Sequence, residues 1–307
     1  IAFVIDFDHG WRPREPIYGI WPQDTATVSL EKMFRHVFAW DGRLDFERGY
    51  LTHGPYGDVF DVLTNYAAED TLLPYGVIWP LGDVGLNPRR QEALESYVAQ
   101  GGVLVVDHAS ARDLPEELCG VTFSPDVLYG TGIQTALQAM PAISAPFAFT
   151  PMKLSREASA LAWTESGAPL LAWHAYGKGM VIVSATEHWL DVTEELVPIV
   201  GAILRSLADA FVPVSTTAEV QMAINRTRDG FVIGLINNSG VTKVPAAPPA
   251  VDEAGAKECA IAFSGRTPLR IDARMGDFQW IVPANSLATR IPPGGVAVVE
   301  VTLPSRD

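Results

Sequence analysis

Apolar positions along this chain fall into short runs and into helically spaced sets, and the order of these blocks outlines a fold. The clearest succession lies between Tyr75 and Val106. Gly76-Val77-Ile78-Trp79 is a short apolar run closed by Pro80 and Gly82, the pattern of a strand. Asn87 suits a helix N-cap, and Pro88 suits the first helical position, where a missing N–H costs nothing. Ala93, Leu94, Tyr97 and Val98 then recur at helical spacing, and Gly101 supplies a left-handed stop. Residues 103–106, Val-Leu-Val-Val, show no polar alternation, as expected of a strand buried on both faces. A strand, a helix and a strand joined by short loops form a right-handed crossover, which places this stretch in the middle of a parallel sheet.

The flanking pattern extends the same reading. Residues 1–7 form an apolar first strand, residues 29–40 a helix with Leu30, Met33, Phe34, Val37 and Phe38 on one face, and residues 60–63 a second strand. A short helix is expected at 115–119, and irregular or paired short strands at 127–152. Residues 170–173 and 180–184 read as a hairpin around Tyr176-Gly177-Lys178-Gly179. Residues 192–210 give a long amphipathic helix with Leu196, Ile199, Val200, Ile203, Leu204 and Leu207 facing in, and Pro198 is tolerated near its start. Such alternation implies a doubly wound α/β domain over residues 1–213. Beyond Pro213 the character changes. Strand-like runs at 220–224, 231–236, 259–263, 278–282 and 296–303 are separated by turns such as Asp229-Gly230, Asn238-Ser239-Gly240 and Pro293-Gly294-Gly295. Residues 214–307 are therefore expected to form an antiparallel β-sandwich.

A resemblance adds to this reading. The strand ending in a small-residue turn and followed by Leu94, Tyr97-Val98, Gly101-Gly102 and Leu104-Val105-Val106 resembles the glutamine-amidotransferase-like fold, a flavodoxin-like doubly wound sheet. Tyr56-Gly57-Asp58-Val59-Phe60-Asp61-Val62-Leu63 and Tyr176-Gly177-Lys178-Gly179-Met180-Val181 fit the same pattern. The similarity covers roughly the first two-thirds of the chain. It is to versions found downstream of the catalytic barrel in carbohydrate-active enzymes, such as the trimerisation domain of bacterial β-galactosidases. Gly230 to Asn238 (GFVIGLINN) resembles the terminal β-domains of polysaccharide-degrading enzymes. The resemblance implies a non-catalytic role in oligomerisation and in shaping a sugar cleft.

Composition narrows the partners. At 307 residues, 48% hydrophobic and 19% charged, the chain can fill two cores, and its formal charge of −14 disfavours nucleic acid and anionic membranes. No apolar run of about eighteen residues is present to span a bilayer. Cys119 and Cys259 fall in different expected domains and are read as free thiols. The chain opens directly on a core-type strand without an initiator Met, which is expected of a piece cut from something longer. Of two sequons, Asn225-Arg226-Thr227 and Asn237-Asn238-Ser239, the second is read as a turn.

An active amidotransferase needs a nucleophilic Cys on a tight strand-to-helix elbow. Cys119 instead ends a helix in Glu117-Leu118-Cys119-Gly120, and no G-x-C-x-G occurs, so glutaminase activity is not expected. The candidate site lies at the carboxyl ends of strands, where open α/β sheets bind ligands. Asp8, His9 and Trp11 follow the first strand; Asp83 follows the Trp79 strand; Asp107 and His108 follow residues 103–106; Glu187, His188 and Trp189 follow residues 180–184. Asp107 and Glu187 could perform acid–base work on a sugar, with Trp11 or Trp189 stacking on its ring through an open face. Asp8, His9, His108 and His188 could alternatively hold a divalent metal, but no spacing approaches a recognised metal signature, and neither metal nor cofactor is assigned. The plainer reading is that these Asp and His residues cap helices and satisfy loops. Most are expected to be tied to backbone amides or Arg side chains, which would hold the carboxylates ionised. The expected partners are an oligo- or polysaccharide and a second copy of the chain or a catalytic barrel. The competing readings are a self-sufficient hydrolase using the strand-end carboxylates and a glycan-binding module.

Overall fold

The computed structural model describes residues 1–6, 25–33, 57, 60–135, 137, 146–190, 196–211, 214–243, 246–282 and 284–304. The chain divides into two compact units, Ile1–Met33 with Phe60–Arg205, and Phe34–Val59 with Ser206–Asp307.

The first unit is built on an eight-stranded mixed sheet. Four strands, β1 (Ala2–Ile5), β2 (Asp61–Thr64), β3 (Val77–Leu81) and β4 (Val103–Val106), lie in the order β2-β1-β3-β4. They run parallel, with Phe3 opposite both Val62 and Trp79. The strand Gly179–Ser184 continues the parallel run beside β4 (Val181 opposite Leu104). Pro169–Tyr176, Ser159–Thr164 and Ile133–Thr135 then extend the sheet antiparallel. β3 and β4 are buried along their whole length, which is why their sequences carry no polar alternation.

The helices of this unit are α1 (Thr25–Lys32), α2 (Glu69–Leu72), α3 (Pro88–Ala99), α4 (His108–Ala111), α5 (Glu116–Cys119) and α6 (Val197–Phe211), the last running on into the second unit. In α3 the Asn87 side chain accepts from the Arg90 amide at 3.0 Å, Pro88 occupies the first turn, and Leu94, Tyr97 and Val98 face the core. Gly120 ends α5 at φ 67°. A β-carbon there would lie 2.3 Å from the His174 ring, so glycine is required by conformation and by space.

Two differences from the expected strands have physical causes. β3 runs through Pro80 to Leu81; its pairing with β4 ends at Ile78, so Pro80 faces only β1, where the missing N–H breaks no β4 ladder. Ser159–Thr164 was not expected as a strand, because it carries small residues and its register shifts twice against Pro169–Tyr176. α1 begins at Thr25 rather than at Ser29; residues 34–40 and 192–195 of the expected helices lie outside the described residues, and α6 is described from Val197.

The second unit holds two four-stranded antiparallel sheets. One has the order Val214–Thr216, Lys257–Phe263, Ser286–Ile291, Phe278–Ile281; the other Gln221–Arg226, Gly230–Ile236, Val296–Thr302, Arg270–Met275. Alternate residues of both form one core, with Ile261, Phe263 and Leu287 from the first and Ile233, Leu235, Val299 and Val301 from the second. Asn237 is fully buried. Its amide donates to the carbonyls of Gly255, Ile291 and Pro292, and its Oδ1 accepts from Ser239 N, so the expected turn is also an internal anchor. Cys119 and Cys259 are buried free thiols. Among the described residues no helix is long and apolar enough to cross a membrane.

Candidate functional site

The carboxyl edge of the first unit's sheet brings together residues contributed by three strands. Asp107 follows β4 and enters α4 as its N-cap, with Oδ1 accepting from Ser110 N at 3.0 Å. Its Oδ2 lies 3.4 Å from His188 Nδ1, at ion-pair distance though outside hydrogen-bond geometry. His188 Nε2 in turn lies 3.6 Å from Oδ1 of Asp83, which follows β3. The three residues form a line from the interior to the surface. Asp107 is 1% exposed and the His188 side chain 6%, whereas that of Asp83 is 54% exposed. Burial raises the Asp107 pKa above its ordinary value, and this outweighs the opposing effects of His188 and the Ser110 cap.

A second pair lies beside it. Glu187 Oε2 is 2.6 Å from His108 Nδ1, and Glu187 Oε1 is 3.4 Å from Arg112 Nη1. The backbone fixes this pair as well, because His108 N donates to Thr186 O and Ala109 N to Glu187 O. The His108 ring also packs edge-on against Phe123, with centroids 4.7 Å apart. Inside the turn, Thr186 Oγ1 bonds Ser184 Oγ at 2.7 Å and donates to His188 O at 2.9 Å.

The strand-end residues therefore meet, but as two histidine–carboxylate clusters. Each of the two carboxylates considered for acid–base work is engaged by a different histidine, Asp107 by His188 and Glu187 by His108. Two expectations need correction. Trp189 is 2% exposed and packs edge-on against Trp79 at 5.2 Å, so it is core and has no open face for a sugar. The Asp107 carboxyl is not shifted towards the charged form: burial raises its pKa by more than its partners lower it. Asp8, His9 and Trp11 lie outside the described residues. Among the described residues no group of three or more His, Cys, Asp or Glu is arranged to hold a metal ion. The sequence reading missed Arg112 and Phe123. Arg112 stands four residues after His108, a spacing that marks one helical face. Phe123 carried no local signal.

Cys119 closes α5 as a buried thiol, its Sγ 3.9 Å from Ala111 O, and burial pushes its pKa up to about 12. A thiol held protonated in this way is a poor nucleophile.

No family model matches the chain, and no curated protein matches it by sequence. Solved structures do match it by fold. The β-galactosidase from Bacillus circulans sp. alkalophilus aligns over 98% of this chain and 41% of its own, with a TM-score of 0.51 and 13% identity. A GH42 β-galactosidase from G. stearothermophilus aligns over 99% of this chain and 40% of its own, with a TM-score of 0.49 and 12% identity. An exo-β-1,4-mannosidase from Opitutaceae bacterium strain TAV5 aligns over 71% and 36%, with a TM-score of 0.39 and 13% identity. The chain thus spans about two-fifths of the length of these β-galactosidases, and the likeness to the first, at 13% identity, is one of fold.

Proposed function

We propose that this chain is a non-catalytic region of a glycoside hydrolase or related polysaccharide-active enzyme. In this reading a glutamine-amidotransferase-like, flavodoxin-type domain and a β-sandwich serve oligomerisation and shape the sugar cleft of a catalytic barrel. The observation that carries it is the internal use of the strand-end groups. Asp107 caps α4 and lies buried against His188, Glu187 is engaged by His108 and Arg112, and Trp189 is core. A glycosidase needs two carboxyl groups facing one glycosidic bond across open space, one of them free to deliver a proton. These groups are instead committed to holding α4 and the turn after Gly179–Ser184 against the sheet edge. The fold likeness to a β-galactosidase over nearly the whole chain supports the enzyme class. The buried Cys119 thiol argues against amidotransferase chemistry.

Sedimentation equilibrium and a glycosidase assay on the purified chain test the proposal together. A concentration-dependent homo-oligomer with no turnover of nitrophenyl glycosides or of glutamine is expected. A chain that is monomeric throughout and cleaves a glycoside, with cleavage abolished by Asp107→Asn or Glu187→Gln at intact fold, would overturn it.

A further inference from the structure

A second part of the carboxyl edge is built differently. Between the turn after β2 and the loop after β3 lies a cavity of about 460 Å3, within the roughly 300–1,000 Å3 of small-molecule sites. Its described lining comes from two segments, residues 65–69 and 72 on one side and Gly85, Asn87, Arg89, Arg90 and Ala93 on the other. The strand order β2-β1-β3-β4 sets these segments on either side of the end of β1. The chain leaves β1 for β2 but leaves β3 for β4, so its connections diverge between β1 and β3. That divergence is the switch point at which open α/β sheets bind ligands.

The walls are fixed from within the protein. The Arg90 guanidinium donates to the carbonyls of Asn65 and Ala67, tying α3 to the turn after β2. Asn65 Nδ2 donates to Asp6 Oδ1 at 2.8 Å, tying that turn to the end of β1. Leu72 and three alanines, Ala67, Ala68 and Ala93, give the cavity its apolar surface. Tyr66 is 65% exposed, and Glu69 and Arg89 are exposed beside it.

The chemistry selects among ligands. Pro88 has no N–H, and Asn87 Oδ1 already accepts the Arg90 amide, so the start of α3 is not an open anion cradle. Arg90 is half-buried with its Nη2 held by carbonyls, so Glu69 and Arg89 are the exposed acid and base of the described lining. An acceptor and a donor of opposite charge, an aromatic face and an apolar wall match a neutral polyhydroxylated ring, whose C–H face stacks while its hydroxyl groups donate and accept.

We propose that this cavity binds a neutral saccharide, with Tyr66 as the platform and Glu69 and Arg89 reading ring hydroxyls. The choice of sugar as ligand class rests on the function proposed above; the site itself rests on its geometry. Isothermal titration of the full chain with galactose, lactose and mannobiose, and with galacturonate as the anionic control, tests it. Saturable binding of a neutral sugar is expected, weakened about tenfold or more by Tyr66→Ala and by Arg89→Ala at unchanged melting temperature, and retained in Tyr66→Phe. Absence of neutral-sugar binding, a preference for galacturonate, or binding insensitive to both alanine variants would overturn it. An oligomer that forms without sugar binding removes this site and leaves the larger reading standing. A monomer whose sugar binding the variants abolish does the reverse.

Discussion

Replacing Asp107 separates what its two oxygens do. Oδ1 caps α4 through Ser110, and Oδ2 faces His188 at 3.4 Å. Asp107→Asn keeps an acceptor for the Ser110 amide and removes the charge, whereas Asp107→Ala removes both. Loss of an N-cap costs about 1 kcal/mol. Removing one partner of a buried ion pair costs about 3–5 kcal/mol when the survivor has no other counter-charge. His188 keeps Asp83 at 3.6 Å, so about 2 kcal/mol is the better figure here. The Ala variant should therefore lose about 3 kcal/mol, and the Asn variant, which keeps the cap, about 2 kcal/mol at neutral pH.

The pH dependence gives this prediction its sharper edge. Burial raises the Asp107 pKa above the ordinary 3.8, so the folded chain keeps the proton at pH values where the unfolded chain has lost it. Above about pH 4 the folded state then binds more protons, and this group's contribution to stability falls as pH rises towards its folded pKa. The Asn variant lacks that titration. The stability gap between wild type and Asp107→Asn should narrow as pH rises from about 4.5 to 7. Urea unfolding followed by tryptophan fluorescence measures it, because Trp79 and Trp189 pack together in the sheet that carries this edge. A gap that widens with pH, or an Ala variant no less stable than the Asn variant, would refute the reasoning.

Other residues give independent tests. Gly120→Ala should destabilise by at least about 2 kcal/mol in thermal or urea unfolding, since it combines a left-handed backbone with a 2.3 Å approach to the His174 ring. Asn237→Ala should cost about 3 kcal/mol by the same measurement, because three backbone carbonyls lose a buried donor. Cys119 should resist a thiol reagent such as dithionitrobenzoate at about pH 8 until the chain unfolds, as its pKa of about 12 leaves almost no thiolate.

Where local pattern and tertiary environment agreed, the fold was readable. Residues 103–106 are uniformly apolar because β4 is covered on both faces, and Asn87-Pro88 marks the start of α3 because each satisfies a local backbone need. Period-2 alternation exposed Gly230–Ile236 and Val296–Thr302 for the same reason: each has one face in the core. Edge and bulged strands were unreadable. Arg270–Met275 pairs with one neighbour only and buries little, so nothing in its sequence had to alternate. α4, at four residues, is too short for periodicity and was visible only through its cap.

The candidate site divides along the same line. Strand ends are local features, so the positions of Asp83, Asp107, Glu187 and His188 could be placed on one edge from sequence. Which of them touch is a matter of topology. His108 meets Glu187 across 79 residues only because Gly179–Ser184 returns to lie parallel beside β4. Depth is a further step removed, and it decides the chemistry. One residue, His188, separates the core residue Trp189 from the half-exposed Glu187, and Asp107 and His188 are buried with Trp189, yet the same strand-end pattern announced them all. A carboxylate on the surface, like Asp83, meets His188 from the solvent side; one pressed under a helix start, like Asp107, becomes part of how that helix is held. The cavity beside Tyr66 shows the converse. Its residues follow a strand just as Asp107 does, but the turn after β2 leaves Tyr66 and Glu69 facing outward, and it is there that the edge remains open to binding.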